Sequence, residues 1–410
     1  MAEERSQPSN ETLLIVTGCF ASLANRFANP QVVLPWLYNY LGGPLFLVGF
    51  LAPSVRLGSL LAQVTVVPSL LKRPTRKWAY VASVSVSAVV LVMISSTMWG
   101  MGRTAGLVVF FLCLLLLGAS SGVTALTMQE VTAKTLPRDR IGRVLSLQVS
   151  VSGMILLIVM SALMYFQTDI KNGEHKSLMM LLAAAAWAMA GLTFSRLREP
   201  ASAVKESTSA WSEIVSGWRF VREIRWFRRF VFVRSLFLSV GLATPFYSVH
   251  AAREFSLTAH SLSLIVIATG ITGVLSAPVW SRILQRDPRR ALFRSGLFAA
   301  LAGLIVVIHE LRGDPHPLVY MVAFAFLQLA VQGLTQSSKT YLALMCPEDD
   351  RPRYLAISNA ILGVLGVMVS GLVGVLAGSV HIYAALVLLV VLSLAASAAA
   401  RSLYSPQEEK

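Results

Sequence analysis

The chain has 410 residues, 55% of them hydrophobic and only 13% charged, and its mean hydropathy is +0.67. Soluble domains carry about 25% charged residues. There are too few charges here to clothe the two or three water-facing domains the length would allow, which also excludes disorder, a nucleic-acid-binding domain and a secreted disulfide scaffold. The net charge of +15 fits the loops of an integral membrane protein, where Lys and Arg collect on the cytoplasmic side.

Residues 1–11 are polar and lack the basic stretch and cleavage site of a signal peptide, so the first span is expected to stay in the mature protein. A membrane-crossing helix needs about 20 mostly apolar residues. Twelve stretches qualify, at 13–38, 44–70, 78–98, 105–132, 144–166, 178–195, 230–250, 261–283, 291–309, 318–342, 354–378 and 381–400. With the N-terminus inside, the inner segments hold 27 of the 35 Lys and Arg and the outer loops five (Arg103, Lys171, Lys176, Arg253 and Arg312). That bias sets both termini in the cytoplasm. Arg26, Arg56 and Arg234 remain inside spans.

The longest inner connection, 196–229, separates a first six-span bundle (1–195) from a second (230–410). It begins as a polar linker with Pro200 and several Ser. It then sets Trp211, Ile214, Val215, Trp218 and Val221 on one helical face beside Arg219, Arg222 and Arg225, the pattern of a helix lying in the membrane interface. A basic helix that recruits a partner protein is the alternative. Several features recur about 210 residues apart: Pro35 with Pro245, Pro137 with Pro347, Arg143 with Arg353, Gly153 with Gly363, and Gly122-Val123-Thr124 with Gly333-Leu334-Thr335. A repeat of six spans inserts both halves in the same orientation, related by an axis along the membrane normal.

Six spans plus six, with a basic turn after spans 2 and 8, resemble the major facilitator superfamily of secondary transporters. Gly58-Ser59-Leu60-Leu61-Ala62-Gln63 followed by Lys72-Arg73-Pro74-Thr75-Arg76-Lys77 is similar to the family's 2–3 loop signature, without its acidic residue. The second copy is Gly273, Pro278, Trp280-Ser281-Arg282 and Arg286-Asp287-Pro288-Arg289-Arg290. Lys134 to Arg143 and Arg351 to Asn359 look like the 4–5 and 10–11 loops of bacterial members. The fourth-span Arg pattern of proton-coupled drug antiporters is absent. The resemblance implies an all-α integral membrane protein of the bacterial inner membrane, with 12 transmembrane helices as two pseudo-symmetric bundles. It also implies alternating access through a central cavity between the halves.

An Arg at the centre of a spanning helix costs about 2.5–3.5 kcal/mol on insertion scales, so it is expected to face a cavity or a partner. Ser22, Asn25, Arg26 and Asn29 share one face of span 1, ahead of Pro30 and Pro35. In span 7, Arg234, Ser235 and Ser239 precede Gly241 and Pro245, with Tyr247 beyond. Interrupted helices at corresponding places in two repeats point to a binding site. Span 10 adds Gln328, Gln332, Thr335 and Gln336 on one face, span 4 adds Thr124, Thr127 and Glu130, and span 2 adds Arg56. The expected substrate-binding set is Asn25, Arg26, Asn29, Arg56, Gln328, Gln332, Gln336, Ser239 and Tyr247. The structural alternative for the neutral ones is interhelical hydrogen bonding.

Glu130 is the one carboxylate within a span. It is a candidate for carrying a coupling proton or, paired with Lys134 one turn on, for locking an inner gate that also includes Arg76, Lys77, Arg289 and Arg290. With arginines outnumbering it, the substrate is expected to be anionic, zwitterionic or amphipathic. All six His fall on the outer side, but no two share ligand spacing on one helix, so no metal is expected there. Gly118-x-x-x-Gly122 and Gly374-x-x-x-Gly378 are expected to be helix-packing motifs. The sequence carries no hydrolase or phosphate-loop motif. The protein is therefore expected to be a monomeric transporter of a small-molecule substrate in the lipid bilayer, not an enzyme, with a proton as candidate coupling ion. No cofactor and no nucleic acid are expected. A lipid or amphipath flippase of the same fold and a non-transporting receptor or scaffold are the alternatives.

Overall fold

In the computed structural model, the described residues are 9–66, 69, 74–97, 102–136, 138–165, 172–201, 223–255, 259–284, 286–313, 316–346 and 351–404. They form α1 (Asn10–Phe27), α2 (Val33–Tyr40), a 3-10 turn (Leu45–Phe50), α3 (Leu51–Thr65), α4 (Lys77–Ser96), α5 (Arg103–Thr135), α6 (Arg138–Tyr165) and α7 (Asn172–Ser195). Beyond the linker come α8 (Arg225–Leu236), α9 (Leu238–Glu254), α10 (Ala259–Leu284), α11 (Pro288–Leu311), α12 (Pro317–Met345), α13 (Arg351–Ser379) and α14 (Ile382–Ala400). Ten helices among the described residues are long and apolar enough to cross a bilayer. The two other expected spans are α1 and α6, and α6 is strongly apolar only over Val151–Ala162. The interfacial helix expected through Trp211 to Val221 lies outside the described residues.

Three boundaries differ from the sequence reading. Span 1 is two helices, because Pro30 has no N–H for the helical ladder and biases Asn29 away from helical backbone. Pro35 falls in the first turn of α2, where the missing N–H costs nothing. Span 2 starts with the 3-10 turn. Span 7 breaks at Phe237, whereas Gly241 and Pro245 both lie within a continuous α9. Pro245 withdraws only the hydrogen bond that would have reached the Gly241 carbonyl.

Contacts divide the chain into two units, Met1–Asn29 with Ser54–Ser207, and Pro30–Pro53 with Thr208–Lys410. The segment 30–53, read from the sequence as part of the first bundle, thus groups with the second. Its anchors are visible: Ser248 Oγ donates to the Val32 carbonyl (2.5 Å), and Arg253 Nε donates to Asn39 Oδ1 (3.1 Å). Phe46 lies against Gly374 and Gly378, and Gly49 against the Ser370 carbonyl, so close that a side chain on Gly49 or Gly374 would overlap backbone. In the first unit, Gly58 meets the Leu115 carbonyl and Gly118 the Val55 carbonyl, drawing α3 onto α5. Both small-residue motifs are packing surfaces of the kind expected in membranes.

The two units repeat one packing scheme. In the first, α4 lies between α5 and α7; in the second, α11 lies between α12 and α14. On the outer side, histidines serve as structural acceptors. His316 Nδ1 accepts from Leu318 N (3.3 Å) and His381 Nδ1 from Tyr383 N (3.4 Å), each starting a helix. His309 Nε2 accepts from His316 N (2.9 Å).

Candidate functional site

The first half of α1 is anchored by α6 and α7. Gln148 of α6 donates from Nε2 to the Leu14 carbonyl (2.9 Å), and its carboxamide occupies the space a side chain on Gly18 would fill. Thr17 and Thr193 of α7 share a hydrogen bond (2.9 Å). Leu14, Thr17 and Gly18 are buried against α6 and α7 in the first half of α1; further along the same side of the chain Ser22, Arg26 and, just past the helix end, Asn29 are half-buried and Asn25 is exposed. Asn25 Nδ2 is spent on the Ala21 carbonyl (2.9 Å).

Arg56 sits about 100° around α3 from Val55, whose carbonyl meets Gly118, and its side chain is exposed. Among the described residues neither Arg26 nor Arg56 forms an ion pair. Two cations are thus held within expected spans of the first unit without a carboxylate among the described residues.

In the second unit, α12 buries Leu327, Ala330, Gly333 and Ser337 and leaves Gln328, Gln332 and Gln336 half-buried and Thr335 exposed. Trp280 of α10 donates its indole N–H to the Leu329 carbonyl (3.0 Å), which fixes that orientation. Ser239 and Tyr247 are placed differently. Ser239 Oγ shares a hydrogen bond with Ser393 Oγ of α14 (3.0 Å), and the Tyr247 hydroxyl abuts Gly303 of α11. Both are buried in the contacts of α9 with its neighbours, so they face packing rather than open space. Arg234 ends α8 and is partly exposed.

The inner ends of the helices carry a charge network that corrects one expectation. Glu130 pairs with Arg76, which is 3% exposed, rather than with Lys134. Lys134 instead donates to Glu199 Oε1 (3.0 Å). The physical reason is Glu199. Its buried carboxylate accepts the backbone N–H groups of Arg76 (2.7 Å) and Lys77 (2.8 Å) through Oε2. Helix starts have unsatisfied N–H donors and a positive dipole end, and α4 has no capping side chain of its own. An acid delivered from beyond α7 supplies the acceptor and leaves its second oxygen for Lys134. Lys77 Nζ closes the arrangement by donating to the Leu197 carbonyl (3.1 Å).

The second unit solves the same problem locally. Asp287 Oδ1 accepts from Arg289 N (2.9 Å) at the start of α11, and the Asp287 carboxylate pairs with the Arg289 and Arg290 side chains. Arg289 also donates to the Leu403 carbonyl (3.1 Å), the counterpart of Lys77 on Leu197. Sequence reasoning missed Glu199 by placing it in a polar linker. The available signal was a helix start at Lys77 without Ser, Thr, Asp or Asn at its cap, together with an acid just past the end of a span.

Residues 235–410 match the family model described as Major Facilitator Superfamily. The second part of the chain is thus similar to the major facilitator superfamily. The chain's fold is similar along almost its whole length to the nucleoside transporter NupG, in a D323A mutant structure (TM-score 0.74, 14% identity, 97% of this chain and 100% of that one). It is likewise similar to a D-xylose-proton symporter (TM-score 0.71, 13% identity, 98% and 99%) and to a bacterial homologue of the iron transporter ferroportin (TM-score 0.70, 12% identity, 96% and 98%). Uncharacterized proteins of Mycobacterium bovis and Mycobacterium tuberculosis are 26% identical over 412 residues, covering 96% of this chain and 76% of theirs. This fold, with ten helices among the described residues long and apolar enough to cross a bilayer, is that of a multi-pass membrane protein.

Proposed function

We propose that this chain is a major facilitator transporter that moves a small anionic, zwitterionic or amphipathic solute across the membrane by alternating access, working as a monomer. The observation that carries the substrate class is the pair Arg26 and Arg56, held within expected spans with no ion-pair partner among the described residues. Each costs about 2.5–3.5 kcal/mol to place there, a cost that an anionic group on the substrate offsets. Asn25 and Asn29 supply neutral donors and acceptors beside Arg26 on the first unit, and Gln328, Gln332 and Gln336 form the polar face of α12 in the second. Ser239 and Tyr247 are left out of this set because both are committed to helix packing.

Glu130, Arg76, Lys134, Lys77 and Glu199 act as an inner gate of the first unit, with Arg289 and Arg290 in the matching position of the second. The Glu130 carboxylate is engaged by Arg76, which favours a gating role for it over proton carriage.

A thermal-shift screen of the purified protein against organic anions, siderophores, lipids and drugs at two pH values identifies the ligand, and flux into proteoliposomes tests it. Arg26→Ala and Arg56→Ala are expected to abolish uptake of the stabilising compound. Full uptake in Arg26→Ala together with loss in Glu130→Gln would overturn the assignment.

A further inference from the structure

The first unit carries a groove with no role in the reading above. It has a volume of about 400 Å³ and lies among α3, α4 and α5, lined by Ala62, Ala79, Ala82, Ala119, Val123 and Trp78 among others. Its floor is the buried pair Ala62 and Val123, with Ala79 and Ala119 packed on it. The volume falls within the range of small-molecule and acyl-chain pockets, roughly 300–1,000 Å³. Four alanines where larger side chains would close the space make the hollow.

The chemistry of the walls restricts the occupant. The two buried hydroxyls that reach the groove are already committed: Ser83 Oγ bonds Thr124 Oγ1 (2.8 Å) and Ser120 Oγ bonds Ser87 Oγ (2.7 Å). What remains for a ligand is hydrocarbon, apart from the exposed Ser69 at its edge. The rim continues into exposed apolar side chains, with Trp78 58%, Leu116 47% and Val86 43% accessible. In a membrane protein such a surface is covered by lipid, not water. One end carries charge: Lys77 Nζ lies 5.3 Å from the centroid of the Trp78 ring. Trp and Lys at the start of a spanning helix, on the basic side, mark the inner headgroup region.

We propose that this groove is a binding site for one acyl chain of an anionic phospholipid of the inner leaflet, with its headgroup against Lys77 and its chain between α4 and α5. The proposal does not involve the transported solute, although Lys77, whose Nζ also reaches the Leu197 carbonyl (3.1 Å), is shared with the inner gate. It does, however, place the lipid on α4, whose first turn is held by Glu199 and by the Arg76–Glu130 pair.

Native mass spectrometry of the full-length, delipidated protein titrated with phosphatidylglycerol or phosphatidylcholine of matched chains tests it. Wild type is expected to retain phosphatidylglycerol with about a five-fold preference, the attraction of one well-placed basic side chain for an anionic headgroup. Ala82→Phe, at the exposed edge of the groove, is expected to bring retention down to the phosphatidylcholine level. Ala119→Leu, which fills the floor, provides a second route should the first variant fail to fold. Equal retention of the two lipids by wild type, or undiminished phosphatidylglycerol preference in a folded groove-filled variant, would overturn the proposal.

Discussion

Glu199 caps the helix that begins at Lys77, across more than 120 residues of chain. Its Oε2 receives two backbone N–H groups at 2.7 and 2.8 Å, and its Oε1 receives the Lys134 ammonium at 3.0 Å. Four elements, namely the start of α4, the end of α5, the turn after α7 and the Arg76–Glu130 pair, therefore meet at one buried carboxylate.

Removing that carboxylate leaves two helix-start donors and a mostly buried ammonium without an acceptor. Glu199→Ala is expected to destabilise the protein by about 2–3 kcal/mol, seen as a lower melting midpoint in detergent. Glu199→Gln, which keeps one acceptor oxygen, should fall between. A melting midpoint unchanged in both variants would show that the contacts are not holding α4.

The Arg76–Glu130 pair should behave as a coupled unit. In a double-mutant cycle of Arg76→Ala and Glu130→Ala, the double variant is expected to lose less stability than the two singles together, with a coupling of at least about 1 kcal/mol. Glu130→Ala combined with Lys134→Ala should add more nearly, since those residues are paired with different partners.

Arg26 makes no ion pair among the described residues that a substitution could break. Arg26→Gln, which removes an unpaired charge from the span, is therefore expected to be at least as stable as wild type without ligand, while abolishing the thermal shift produced by the stabilising ligand. By contrast, Tyr247→Phe and Ser239→Ala should retain that shift. Isothermal titration of each variant with the same compound checks both expectations.

Glycine positions offer a packing test. A side chain on Gly58 would overlap the Leu115 carbonyl, whereas on Gly273 the nearest outside atom is 3.8 Å away. Gly58→Val should prevent close approach of α3 and α5 and abolish monodisperse purification. Gly273→Ala should purify as wild type, and size-exclusion chromatography separates the two outcomes.

The spans, their orientation and the six-plus-six repeat were legible in the sequence because hydropathy and the Lys/Arg bias are properties of consecutive residues. The polar face of α1 was legible too, since spacings of three and four residues follow from 3.6 residues per turn. Where span 7 breaks was not. Gly241 and Pro245 looked like the interruption, yet the ladder tolerates them and gives way at Phe237. Ser239 and Tyr247 read as cavity residues for the same reason any buried polar side chain does, because a helical face does not state which neighbour it meets.

What the sequence by itself determined is a twelve-span membrane protein with its basic loops inside and three arginines left within the spans. Tertiary structure decided which of the polar groups are spent. It gave Glu130 to Arg76, Lys134 to Glu199 and Ser239 to Ser393, and it left Arg26 and Arg56 without an ion pair among the described residues. Those choices join residues tens to more than a hundred positions apart, and a partner so distant leaves no periodic trace. It is selected only when packed helices bring an unsatisfied donor and a buried acceptor within about 3 Å of each other.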